Sequence, residues 1–357
     1  MSSLPHFYYS PDILKYDFGP GHPLKPERLR RTIELLGRYG VEPINPGKAS
    51  ISDLLRVHDE DYVLAVRNMD STLGGTGDGY GFGRGDNPVF PGMFEASLAY
   101  VGATARAAEA VRDGANLAYG IGGGLHHAHR DRASGFCIFN DPAIACHILR
   151  EKFDRVAYVD IDVHHGDGVQ WLFYEDPSVL TCSIHEEGRT LFPGTGFVEE
   201  VGADFSSVNV PLMAKTTADV WLDALERGIL PAIEAFCPSA IVLQLGTDSH
   251  REDPLGHIRS DANAWLTAVR RVRDLGLPTV VLGGGGYNLS TVPRMWAAAC
   301  LTMADQPFDD HFPEDLAEAW GVSRFLDAPS GERNIGAAYA DGVIDWQRAH
   351  LLPNIKN

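Results

Sequence analysis

Five stretches of this sequence gather residue types that bind divalent cations or move protons. They are Leu125-His126-His127 after three glycines, Asp160-Ile161-Asp162-Val163-His164-His165-Gly166-Asp167, Ser183-Ile184-His185, Gly246-Thr247-Asp248-Ser249-His250, and Tyr287-Asn288 after four glycines. Carboxylate oxygen together with imidazole nitrogen suits Zn²⁺ or another borderline divalent ion. Asp160, Asp162 and His164 alternate, so in a strand they share one face. A turn at the strand end gives Asp162 and His164 access to one ion, and Asp248 is the candidate third ligand. Three protein ligands with one open position fit a catalytic metal. A structural zinc is normally closed by four ligands, usually including cysteine. His126 and His127 would point oppositely in a strand, but a tight glycine turn can aim both at one site. A neutral imidazole beside an activated water is a natural general base and, once protonated, a general acid. Asp160 and Asp167 are the carboxylates at hand to fix such imidazoles. Tyr287, after its glycines, is placed to donate to a developing oxyanion.

Each cluster needs an element to hold it. The segments 116–124, 155–162, 179–185, 240–248 and 279–288 are short apolar runs that end in glycine or in these polar residues. Such runs predict strands buried on both faces. Helical patterns lie between them at 94–111, 141–152, 217–236 and 261–275, the second opening on Asp141-Pro142 as cap and first turn. This alternation predicts a parallel, doubly wound sheet, which binds ligands where loops leave the strand ends. The glycine-dense segment 70–86 is expected to be a loop, and the chain after Gln306 to pack around the core.

The 357 residues carry 48 acidic and 30 basic side chains, a formal net charge of -18, with 44% hydrophobic and 22% charged residues. This excludes a disordered chain and disfavours direct nucleic-acid binding, because a negative surface repels phosphates. Five cysteines at unrelated spacings predict reduced, buried thiols in a cytoplasmic protein. The N-terminus shows no signal-peptide pattern and no apolar run is long enough to span a membrane. Phosphate-binding glycine motifs, a Gly-x-Ser-x-Gly elbow and a His-Glu-x-x-His helix are all missing from the sequence.

The segments GGGLHHA (122–128), SGFCIFND (134–141), VDIDVHHGDG (159–168), LFPGTG (191–196), LQLGTD (243–248) and LGGGGYN (282–288) follow HPLKPERL (22–29) in order. Together they resemble the zinc-dependent histone deacetylase family, including bacterial members called acetoin utilisation proteins or deacetylase-like amidohydrolases. The resemblance implies one arginase-like α/β domain over 1–357, a central parallel sheet with helices on both faces. It implies one catalytic zinc on Asp162, His164 and Asp248, and His127 with Asp167 as main general base and acid. His126 with Asp160 would tune the electrostatics, and Tyr287 would serve as oxyanion donor. Phe136, Phe192 and Leu255 would wall a channel for an acyl-lysine side chain, with room made by Gly135, and Asp86 would hold the substrate backbone at the rim. A structural potassium ion is implied at the carbonyls of Asp160, Asp162 and His164 with Ser183. The implied substrate is an acetylated lysine of a protein, or else an acetylpolyamine or another small N-acetyl amide. Lys25 fits the inositol-phosphate site of some eukaryotic members, whereas Pro254 and Ser290 stand where arginines are expected there. No oligomeric state follows from the sequence.

Overall fold

Aliphatic runs flanked by glycine and aspartate become the strands of one parallel sheet. The computed structural model describes residues 6–72, 79–83, 85–328 and 330–356. The strands are β1 (Leu117–Gly120), β2 (Val156–Asp160), β3 (Val179–Glu186), β4 (Ser207–Leu212), β5 (Ala240–Gln244) and β6 (Thr279–Leu282), in the order β1-β6-β5-β2-β3-β4. Every pairing is parallel. Such a sheet needs both faces covered, and β2 and β5 are buried at every position. Helix Met93–Arg112 packs against β1 and β6, and helix Asp141–Arg150 against β2 and β5.

The topology places the site. After β2 the chain lays down β3 and β4 on one side, then returns to add β5 and β6 on the other. The direction of winding therefore reverses between β2 and β5, and the loops diverge there to leave a crevice. Register sharpens the effect. Asp160 pairs with Gln244 and with Ser183, and Leu282 pairs with Gln244 and with Gly120. The strand ends thus form one edge, from which the polar loops leave together.

Several expectations need correction. Strand β4 was not foreseen. Its buried Ser207 and Asn209 interrupt the apolar pattern because their side chains are bonded inside the protein, Ser207 to Thr181 and Asn209 to Gln170. The helix expected over 217–236 is three consecutive pieces, Ala218–Ala224, Leu225–Ile229 and Leu230–Phe236, the middle one a wider turn. Pro231 has no N–H to continue the ordinary ladder. Asn140, not Asp141, caps the helix at 141–150, by accepting from the Ala143 N–H (3.0 Å). Cys237 is exposed, whereas the other four cysteines are buried free thiols. It closes a helix in a left-handed conformation (φ 50°). The segment 70–86 starts inside helix Glu60–Thr72, and its residues 73–78 and 84 lie outside the described ones. The C-terminal portion does pack onto the core, through buried Phe312, Leu316, Phe325 and Ile344. No helix among the described residues is long and apolar enough to cross a membrane.

Candidate active site

The turn after β2 brings Asp162 and His164 to face Asp248, which follows β5. His164 Nδ1 lies 3.1 Å from Asp162 Oδ1 and 3.1 Å from Asp248 Oδ2. Both carboxylates are fully buried and the imidazole nearly so. Their other lone pairs are engaged. Asp162 Oδ2 accepts from Gln244 Nε2 (2.9 Å) and the Gly285 N–H (2.7 Å), and Asp248 Oδ1 accepts from the Val163 N–H (2.8 Å). The backbone crowds in: a Cβ at Gly285 would come within 2.1 Å of Asp248 Oδ2, and one at Gly246 within 2.2 Å of Asp162 Oδ2. Trp265 and Trp296 brace the exit of β5 by donating to the carbonyls of Gly246 (2.8 Å) and Leu245 (2.7 Å).

Two buried carboxylates around one imidazole are an unbalanced charge. Burial and the neighbouring Asp162 push Asp248 up to about 7. Burial opposes a charged His164, and the two carboxylates outweigh it, holding it up at about 10. The donor set is mixed N/O, desolvated and convergent, with ligand atoms within 4.8 Å of one another. It fits a divalent cation with three protein ligands. A second convergent group, His126, Asp160 and Asp162, shares Asp162 with the first. In it His126 and Asp160 are already hydrogen-bonded to each other.

Beside this cluster stand two parallel dyads. His126 Nδ1 is 2.7 Å from Asp160 Oδ2, and His127 Nδ1 is 2.6 Å from Asp167 Oδ1. The two Nε2 atoms face each other at 3.0 Å. Imidazoles so close do not both hold a charge. Burial works against a charged His126, and Asp160 and Asp162 outweigh it, holding it up at about 9. Burial and the charge on His126 push His127 down to about 3, so at neutral pH His127 is free to accept a proton.

A cavity of about 210 Å³ opens onto these groups, lined by Asp86, His127, Gly135, Phe136, His164, Leu191, Phe192, Leu255 and Tyr287. The Phe192 ring stands 5.0 Å from the His127 ring, and the Phe136 ring 5.7 Å from Tyr287. Gly135 has φ +49°, and a Cβ there would reach to 2.4 Å from His127 and 2.8 Å from Phe192. Only a residue without one leaves this gap open. Asp86 is exposed at the mouth. Burial, then Asp248 and Asp162, push the Tyr287 phenol well up, which keeps its proton available for donation.

All the site residues named from the sequence lie in this region, and the structure adds others. Leu191 joins the channel wall. Asp253 accepts from the Tyr287 N–H (2.7 Å). Arg28, in HPLKPERL, is buried and donates to the carbonyls of Gly284 (2.7 Å) and Gly286 (2.9 Å). The sequence carries little signal for Arg28, because its partners are far along the chain. Lys25 bonds within its own loop, to the carbonyls of Gly19 and Pro20.

A model of the histone deacetylase domain matches residues 22–303. The chain belongs to the histone deacetylase family. Among its relatives, the acetoin utilization protein AcuC of Bacillus subtilis is 40% identical over 331 residues, covering 88% of this chain and 86% of that protein. Histone deacetylase 1 of Homo sapiens is 36% identical over 323 residues, 86% of this chain and 67% of that protein. The crystal structure of an HDAC homolog from Aquifex aeolicus superposes with a TM-score of 0.88 at 29% identity, over 95% of this chain and 98% of that one. The protein therefore has a histone deacetylase fold, belongs to a family of deacetylase hydrolases and carries a candidate metal-binding group. The family match spans every cluster from His22 to the end of helix Val292–Met303.

Proposed function

We propose that this protein is a zinc-dependent amidohydrolase that removes acetyl, or a related short acyl group, from the ε-amine of lysine and releases acetate. The observation that carries the reading is the junction of the Asp162–His164–Asp248 cluster with the His127–Asp167 dyad at the foot of a narrow aromatic channel. Its relatives support it, being named for histone deacetylation and acetoin utilization.

Asp162, His164 and Asp248 would hold zinc, which when bound supplies Lewis acidity to the amide carbonyl and the attacking water. His127 takes the proton from that water, and Asp167 holds the ring by Nδ1 and steadies the imidazolium that results. Tyr287 donates a hydrogen bond to the carbonyl oxygen as negative charge builds there, a contribution of roughly 3–4 kcal/mol for a well-placed donor. The C–N bond breaks as His127 passes its proton to the departing amine nitrogen. His126, held by Asp160, keeps a positive field beside His127 and so sets its basicity. Phe136 and Phe192 exclude water and admit an extended alkyl chain with a small acyl cap, while Asp86 at the mouth binds the substrate backbone. A structural potassium ion belongs to the same proposal, at the carbonyls of Asp160, Asp162 and His164 with Ser183.

The test is a matched panel of acetyl-lysine peptides, acetylpolyamines and acetylated small amides, compared by kcat/KM with the zinc-loaded protein. Acetyl-lysine peptides are expected to rank first, and activity to vanish on chelation and return with zinc. A clear preference for acetylpolyamines would move the assignment to that substrate class, and no hydrolysis of any amide would overturn it.

A further inference from the structure

Helix Asp141–Arg150 starts beneath the glycine turn that ends in His126–His127. Asn140 uses its Oδ1 to cap the helix, which leaves Nδ2 to donate to the carbonyls of His126 (3.1 Å) and Ala128 (2.9 Å). Asp141 faces the other way. Its Oδ2 accepts from the Gly124 N–H (2.8 Å) and the Thr104 hydroxyl (2.6 Å), and its Oδ1 accepts from the Leu125 N–H (2.9 Å). The backbone is thus gripped just before the two histidines by one side chain and across them by the next. Contact is close: a Cβ on Gly123 would sit 2.1 Å from Asp141 Oδ2 and 2.3 Å from Thr104 Oγ1.

The chemistry is more than a helix start requires. Thr104, Asn140 and Asp141 are completely buried. A serine or asparagine caps a helix without bringing a charge inside, and an unpaired buried carboxylate is costly. The titratable groups that feel the Asp141 charge include Tyr16, just after the 3-10 turn Pro11–Lys15, Tyr100 from helix Met93–Arg112, and Cys137, none of them a cation. Burial pushes Asp141 up to about 6, against its three donors. What the ion gains is charge-assisted bonds to backbone N–H groups, which are shorter and stiffer than neutral ones.

We infer that Asn140 and Asp141 are positioning residues for proton transfer: together they clamp the backbone on both sides of His126–His127 and set the imidazole pair against the metal-binding carboxylates. The inference rests on the proposed role of His127 as general base. Stiffness matters because a displacement of about 1 Å in a reacting group costs on the order of 10²-fold in rate.

The test is Asp141→Asn in the zinc-loaded protein. An amide has one acceptor oxygen, so its NH₂ must confront one of the two backbone donors. Expected are a kcat lower by roughly 10–100-fold, KM and bound zinc within about twofold of wild type, and displaced Nδ1–H proton resonances of His126 and His127. Thr104→Val keeps the shape, removes one donor to the same carboxylate, and serves if Asp141→Asn does not fold. It is expected to show the same displacement with a smaller loss of kcat, and Thr104→Ser to restore both. A folded variant with a lower melting temperature but wild-type kcat and wild-type histidine resonances would overturn the inference and leave Asp141 a packing residue. If wild type itself hydrolyses no amide, the proposed function falls, and the resonances still decide the clamp.

Discussion

Tyr287 reaches the channel on a backbone held from two sides, by Asp253 at its N–H and by Arg28 at the carbonyls of Gly284 and Gly286. In the proposed mechanism its hydroxyl acts where charge develops, not where substrate docks. Tyr287→Phe is therefore expected to lower kcat by roughly 10²–10³-fold with little change in KM. Zinc content and thermal stability should stay near wild type, since the ring is kept. A near-normal kcat on acetyl-lysine peptides would make the tyrosine a wall residue. Gln244 is the second residue of this kind. Its amide donates to Asp162 Oδ2 and its oxygen accepts from the Gly246 N–H (2.7 Å). Gln244→Leu should weaken zinc binding by roughly 10–100-fold, as loss of a ligand-orienting partner does. Competition with a chromophoric chelator measures it, and unaltered affinity would detach Gln244 from the metal.

Strands declared themselves where chemistry and burial agree and hid where they do not. β2 reads as an aliphatic run closed by aspartate, because its strand is covered on both faces and only its end meets the crevice. β4 is as buried, yet Ser207 bonds to Thr181 of β3 and Asn209 to Gln170, so its polar letters mimic a loop. That His126, His127, Asp160, Asp162, His164, Asp167, Asp248 and Tyr287 lie together was legible from their types at strand ends, whereas Asp86, Gly135, Phe136, Phe192 and Leu255 came only with the family resemblance. Arg28 and Gln244 were not legible, since each acts on a partner distant in the chain, and the cap Asn140 was hidden by the neighbouring Asp141, an equally good capping type one residue on. His58 belongs with them. Its Nε2 accepts the Asn140 N–H (2.9 Å), and its Nδ1 faces the Arg130 carbonyl (3.3 Å). Burial holds it down at about 4, against about 6.5 when unfolded. The unfolded chain thus takes up a proton first, so this contribution is whole above about 6.5 and lost as pH falls toward 4. Urea unfolding from pH 7 to 4.5 should show His58→Gln with a shallower slope, by at most ~1.4 kcal/mol per pH unit. Parallel slopes in the two proteins would refute it.

A molecule with a formal charge of -18 attracts cations to an acidic surface. For acetyl-lysine peptides flanked by lysine or arginine, kcat/KM should fall several-fold between about 0.02 and 0.3 M salt as that attraction is screened. Neutral peptides should barely respond, and equal salt dependence for both would show that the field does not steer substrate. The strand order has a separate consequence for how the protein is born. A ribosome delivers the chain at about 5–20 residues per second, N-terminus first. β1 emerges early, bridged by Phe7 on one edge, but among the described residues the strand that covers its other edge is β6, at Thr279–Leu282 of 357 residues. The nascent histidine pair therefore follows a strand with one open edge through most of translation, and Asp162 and His164 meet their third partner only after Asp248 is made. Contacts between such distant segments form late because loop closure precedes any reward. A shortened product that stops before β6 keeps the partners of its histidines but lacks Tyr287 and the strand between β1 and β5, so premature termination yields inert chains with two exposed sheet edges, which are clients for chaperones and proteases.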